Sequence, residues 1–171
     1  MIMRTIAMLF LALATGAEQQ VNLEPAMSRL AEKATNKIEI SLDSSMLNLA
    51  SAFLSDSDQD QAAAKKILAG LTGVYVRVFK FDGPGKYSQA DIDPIRSELR
   101  GPGWNQIVAT TDAHNVTAGV WIRQENDAAA GIVVVATQED EVTVVNLVGT
   151  IRPEDLAALG GELGIPKIDI K

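Results

Sequence analysis

The chain has 171 residues, contains no Cys, and carries a net charge of −7 from 15 Lys and Arg against 22 Asp and Glu. The lack of Cys excludes disulfides, thiolate metal sites and cysteine nucleophiles. Nucleic acid and anionic membrane surfaces are poor partners for so acidic a protein, because like charges repel.

The first 17 residues have the organisation of a secretory signal peptide. Arg4 gives a positive start, Ile6 to Ala14 form an apolar run, and Thr15-Gly16-Ala17 offer small residues for cleavage. The apolar run is shorter than the ~20 residues that span a bilayer. We therefore expect removal of residues 1–17, export to the periplasm or the cell exterior, and no integral membrane segment afterwards. The alternatives are a short membrane anchor or a buried helix.

The first part of the remaining chain predicts alternating helices and strands. Residues 18–36 indicate an arm or a short helix, and residues 37–171 have the length of one domain. Ile38, Ile40 and Leu42 alternate with polar residues, which predicts a half-buried strand. Two helices follow, one from Met46 to Leu54 and one from Ala62 to Leu71. The polar break between them lacks the Gly and Glu of a calcium loop.

The next strand, Val74 to Phe81, alternates between two faces. Val74, Val76 and Val78 lie on one face, and Tyr75, Arg77, Phe79 and Phe81 lie on the other. Ser88 and Asp91 then resemble a capping box. Since Pro is tolerated in the first turn of a helix, the regular part of the following helix is predicted to begin near Pro94.

The second half of the chain predicts a β-meander. Its strands are Trp104–Thr111, Val116–Gln124, Gly131–Thr137 and Val142–Ile151. The last two are β-branched runs around a short acidic turn, which indicates a hairpin. Both runs are apolar at consecutive positions, as in strands that are covered on both faces or central in a sheet. A last helix is predicted from Glu154 to Leu159.

This order of elements predicts an α+β fold, with an antiparallel, mostly meander sheet and helices packed on one face. The strand-helix-strand unit from Val74 to Thr111 predicts a right-handed crossover.

Catalytic and metal-binding signatures are weak in this sequence. The single His, His114, lies in a predicted turn and has neither a Cys nor a second His to share a zinc ion. No nucleophile elbow, metalloprotease helix motif or dinucleotide glycine frame occurs. We predict no catalytic residue, no metal site and no cofactor, while carboxylates brought together by folding stay an open alternative.

Aromatic and arginine side chains on two strands are the candidate binding residues. They are Tyr75, Arg77 and Phe79 on one strand and Trp121 and Arg123 on another. If both sets share an uncovered side of the sheet, they form an aromatic–arginine surface, and such residues are enriched at interfaces. The alternative is that helices bury the aromatic rings while the arginines reach the rim.

The chain resembles an exported bacterial family known as the domain-of-unknown-function 4252 (DUF4252) family. The resemblance lies in Ile40 to Phe53, Leu71 to Phe79, Gly103-Trp104, and Val142 to Gly149 with Leu156 to Leu159. It covers most of the chain after the signal peptide and implies an exported α+β protein. It implies no activity, cofactor or site residue.

Three functions follow as hypotheses. The first is a non-enzymatic envelope protein that binds a protein or peptide partner through an exposed sheet face or edge. The second is a small hydrolase or isomerase that uses carboxylates assembled by the fold. The third is a small-ligand carrier with a cavity between helices and sheet.

Overall fold

The computed structural model describes residues 21–111, 117–126 and 128–152. The helices are α1 (Ser28–Lys33), α2 (Ser44–Ala52), α3 (Gln59–Gly70) and α4 (Gln89–Glu98), with a 3₁₀ turn at Pro25–Met27 before α1. The strands are β1 (Asn36–Asp43), β2 (Leu71–Lys80), β3 (Trp104–Thr111), β4 (Thr117–Glu125), β5 (Ala128–Thr137) and β6 (Glu141–Ile151).

Several predicted features lie outside the described residues: the signal peptide, His114 and the last helix. Among the described helices, none is both long enough and apolar enough to cross a bilayer.

The described strands form a six-stranded sheet in the order β1-β2-β6-β5-β4-β3. Each neighbouring pair is antiparallel. In the β5–β6 hairpin, Val135 lies opposite Val144 and Val133 lies opposite Asn146. The α+β class, the antiparallel meander and the central hairpin are therefore confirmed.

Helices cover both faces of this sheet, which differs from the predicted arrangement on one face. On the first face, α1 and α4 pack through Leu30, Ile92 and Ile95 against a core that includes Val133. On the second face, α2 and α3 contribute Leu47 and Ile67 to a separate core with β5 and β6. The physical reason lies in β5 and β6, whose consecutive apolar residues place Val, Ile or Leu on both sides and require cover on both.

The crossover from β2 to β3 is made by α4. Three strands separate β2 from β3 in the sheet, and α4 lies over the first face between them. The helix begins at Gln89, five residues before Pro94, so the predicted start near Pro94 is wrong. The capping box explains the earlier start: the Ser88 N–H donates to Asp91 Oδ2 at 2.8 Å, which fixes the first turn.

An ion pair joins α1 to α4. Lys33 Nζ lies 2.7 Å from Asp91 Oδ2, and the Asp91 side chain is almost fully buried. Burial by itself would raise the pKa of Asp91, but hydrogen bonds from Lys33 and Ser88 outweigh it and lower that pKa below its ordinary value. The buried carboxylate therefore stays charged and fixes α4 on the first face.

Candidate functional site

The five candidate binding residues share the first face of the sheet. Arg77 of β2 lies opposite Val144, Val144 lies opposite Val135, and Val135 lies opposite Gly119. Because side chains alternate along each strand, Tyr75 and Phe79 lie on the same side as Trp121 and Arg123.

These residues do not form one continuous open surface. Phe79 and Trp121 are only 3% and 5% exposed, and both belong to the core that α1 and α4 cover. Arg77 pairs with Glu24, with Nη2 and Oε1 2.8 Å apart, and Arg123 lies 3.8 Å from Glu125. The aromatic rings Phe79 and Trp121 are packed inside, and the arginines are held near the rim. The role of all five residues in binding stays a prediction.

Two of the cavities among the described residues open on the first face, one toward β3 and β4 and the other toward β2 and β6. The first has a volume of about 460 Å³ and lies between the end of α4 and strands β3 and β4. We call it the Trp–Arg pocket. Its lining includes Arg96, Arg100, Trp104, Gln106, Thr110, Thr111, Thr117 and Trp121. Another cavity, of about 590 Å³, lies beside the start of α4 at Tyr87 and Gln138.

Two glycines let the indoles lie along the sheet at this pocket. A Cβ atom on Gly119 would collide with the Trp121 ring. A Cβ atom on Gly131 would lie 3.4 Å from Trp104 Cη2, at the short end of ordinary van der Waals contact. The Trp121 ring therefore lies over Gly119 of its own strand, and the Trp104 ring lies beside Gly131 of β5. Both rings line the pocket and give it an apolar surface.

The charge of the Trp–Arg pocket is positive. Arg96 Nη1 donates to Gln89 Oε1 at 2.6 Å and lies 3.7 Å from Asp93 Oδ1. The Arg100 side chain makes no ion pair or hydrogen bond with any described residue. No Asp or Glu occurs among the described lining residues. The pocket thus favours a negatively charged group, although the chain as a whole is acidic.

Strand β3 forms one wall of the pocket and is also an edge of the described sheet. An edge strand has unpaired backbone N–H and C=O groups on its outer side. Charged residues usually protect such edges, and the opposite edge β1 carries Lys37, Glu39 and Asp43. In contrast, β3 reads Trp-Asn-Gln-Ile-Val-Ala-Thr-Thr and carries no charge. Among the described residues its only protection is a register irregularity near Ile107, and no described strand pairs with its outer side.

The described residues offer little for acid–base or metal chemistry. They contain no group of three His, Cys, Asp or Glu side chains that could hold a metal ion. Among the described groups, Asp91 and Tyr87 have a shifted pKa, and burial raises that of Tyr87. Neither side chain lines the Trp–Arg pocket.

Of the residues that line this pocket, the sequence singled out only Trp121; among those it missed are Arg96, Arg100 and Trp104. Arg96 and Arg100 are four residues apart near the end of α4, a spacing that puts side chains on one side of a helix. That spacing could have identified the two arginines as candidates. The position of α4 opposite Trp104 could not be predicted from the sequence, because it depends on where the crossover lies on the sheet.

A model of the family described as "Domain of unknown function (DUF4252)" matches residues 20–159. No curated protein matches the chain. Among solved structures, "Structure of crystal form III of TP0453" is similar over 71% of this chain and 46% of that one, at 18% identity and a TM-score of 0.21. The chain thus spans about half the length of that protein, and so low a score supports no conclusion about fold or function.

Proposed function

The chain belongs to the DUF4252 family, and from that premise we propose that it is a non-enzymatic binding module for an extended, acidic segment of a partner protein. The segment pairs with the outer edge of β3 and places acidic side chains in the Trp–Arg pocket. With the export expected from residues 1–17, the partner is an envelope protein.

The observation that carries this proposal is a positive pocket beside an uncharged sheet edge. Adding a strand to an edge supplies affinity through backbone hydrogen bonds, and a neighbouring pocket supplies specificity through side chains. Arg96 and Arg100 match carboxylates because guanidinium groups can donate two hydrogen bonds to them. The indoles of Trp104 and Trp121 supply apolar contact area for the stem of the bound side chain.

Intrinsic fluorescence provides a direct test, because both Trp residues of the chain line the pocket. A heptapeptide of alternating Val and Glu is titrated into the full chain while Trp emission is recorded. We expect a saturable change, and we expect the matching Val and Lys peptide to cause none. If the Lys peptide binds as tightly as the Glu peptide, the charge argument is wrong.

Two variants and one modified peptide distinguish binding in the Trp–Arg pocket from pairing with the edge of β3. Reversal of the charge in Arg100→Glu should weaken the binding of the Glu peptide at least tenfold, or ~1.4 kcal/mol. The control is Arg29→Glu on α1, an exposed Arg that does not line the pocket. Methylation of alternate backbone nitrogens in the peptide should abolish binding by removing its donors to β3. If the methylated peptide still binds, edge pairing is refuted.

A further inference from the structure

The second opening on the first face is a smaller cavity beneath residues 21–27, at the β2–β6 side of the sheet. Its volume is about 160 Å³. We call it the arm pocket. Its lining consists of Val21, Asn22, Leu23, Glu24, Met27, Tyr75, Arg77, Val144 and Asn146. It is separate from the Trp–Arg pocket, since no described residue lines both.

Asn146 is a polar residue in an apolar row. On the first face of β6 it follows Val142 and Val144, and its neighbours across the sheet are Tyr75 on β2 and Val133 on β5. It is 6% exposed, yet its side chain makes no hydrogen bond with any described residue. Among the described residues no side-chain nitrogen or oxygen is both fully buried and without a hydrogen-bond partner, so the Asn146 amide keeps contact with the solvent of the arm pocket. Val or Leu would continue the apolar row, whereas the amide gives the pocket one donor group and one acceptor group.

The two charged groups of the arm pocket cancel each other. Arg77 Nε and Nη2 both contact Glu24 Oε1, at 3.0 and 2.8 Å. Arg77 Nη1 also donates to the Ile40 carbonyl oxygen at 3.0 Å. The guanidinium is therefore fully engaged, and the ion pair leaves no net charge to select an ionic ligand.

From this geometry we propose that the arm pocket binds a small uncharged molecule that carries a primary amide or a cis-amide. The carboxamide of Asn146 both donates and accepts, so a cis-amide can form two hydrogen bonds with it. The apolar walls at Val21, Leu23, Met27 and Val144 surround the rest of the ligand. A cavity of about 150 Å³ holds a six-membered ring, which sets the size of the ligand.

The probe is δ-valerolactam, a six-membered cyclic amide, and the matched control ligand is cyclohexanone, which has the same ring size but no N–H donor. Each is titrated into the full ¹⁵N-labelled chain while amide chemical shifts are followed. We expect the lactam to shift the signals of Leu23, Tyr75 and Asn146 saturably. It should bind about fivefold tighter than the ketone, the effect of one added hydrogen bond.

The Asn146→Leu variant should bind lactam and ketone equally, because it keeps the branched shape of the side chain and removes the amide. Asn48→Leu, at an exposed position on α2, is the control and should keep the fivefold preference. Equal binding of both ligands to the unmodified chain would overturn the proposal without any variant, so a failure of Asn146→Leu to fold does not matter. Crystals soaked in lactam that show only ordered water at Asn146 would overturn it too.

Discussion

Removing the Asp91 carboxylate should loosen the helix that carries the arginine side of the Trp–Arg pocket. Asp91 accepts hydrogen bonds from Lys33 Nζ at 2.7 and 2.8 Å, from the Ser88 N–H at 2.8 Å and from Ser88 Oγ at 3.1 Å. These contacts fix the first turn of α4 and join that helix to α1. The perturbation is Asp91→Ala.

The magnitude follows from what the carboxylate touches. Loss of the capping interaction costs about 1 kcal/mol. The ion pair adds up to about 1 kcal/mol, since Lys33 is 46% exposed and is partly screened by water. The expected loss is therefore about 2 kcal/mol in the free energy of unfolding. For a chain of this length, that loss lowers the Tm by about 4–8 °C, which differential scanning calorimetry at pH 7 can measure.

The stabilisation by the Asp91 carboxylate should decrease at low pH. The folded pKa of Asp91 lies below its ordinary value of 3.8. A carboxylate whose pKa is lower in the folded than in the unfolded protein contributes its full stabilisation at pH values above the unfolded pKa. This stabilisation is lost as the pH falls through the folded pKa. The difference in Tm between the unmodified chain and Asp91→Ala should thus be constant above about pH 5 and shrink below about pH 4.

Asp93→Ala is the matched control on the same helix. The Asp93 side chain is 62% exposed and lies 3.7 Å from Arg96, so its loss should cost under about 0.5 kcal/mol. If both variants melt within about 1 °C of each other at pH 7, the stabilising role assigned to Asp91 is wrong. A difference that persists undiminished at pH 3 contradicts the assigned pKa direction.

Two further predictions concern packing. Gly119→Ala should force the Trp121 ring off the sheet, shift its emission to longer wavelength, and cost about 1–3 kcal/mol in urea unfolding; an unchanged spectrum would contradict the assigned contact. Ile92→Ala should cost about 2–4 kcal/mol because Ile92 is fully buried, while Phe53→Ala, at 80% exposure, should cost under about 0.5 kcal/mol. Equal losses from these last two variants would show that the core is misplaced.

The sequence predicts elements better than it predicts how they meet. The β5–β6 hairpin was readable because two β-branched runs flank a short turn, and both its pairing and its central position follow from local chemistry. The pairing of β2 with β6 was not readable, since alternation identifies a strand but not its partner. The consecutive apolar residues of β5 and β6 did signal cover on both faces. Which helix covers which face depends on the path of the connections, and no local pattern contains that path.

In the candidate site, too, local patterns predict the strand faces but not how the strands and helices meet. Alternation correctly placed Tyr75 and Arg77 on one side of their strand, and likewise Trp121 and Arg123 on theirs. The order of strands in the sheet decides that these side chains of β2 and β4 lie on the same face. The crossover of α4 over that face then divides them between two openings. Of the two alternatives for these residues, the open surface required that no helix cover the face, and α1 and α4 do cover it. The burial of Phe79 and Trp121 agrees with the other alternative, in which helices bury the rings and the arginines lie at the rim.

The charge of the chain and the charge of the pocket act over different distances. A net charge of −7 repels an acidic partner at long range. At physiological salt, interactions between exposed charges are screened beyond about 8 Å. A bound carboxylate in the Trp–Arg pocket is within contact of Arg96 and Arg100, while no carboxylate occurs among the described residues that line the pocket. At contact, the local charge therefore outweighs the distant one. Net repulsion slows the approach of acidic chains in general. The proposed partner segment would be retained at contact, where its carboxylates reach both arginines while its backbone pairs with β3.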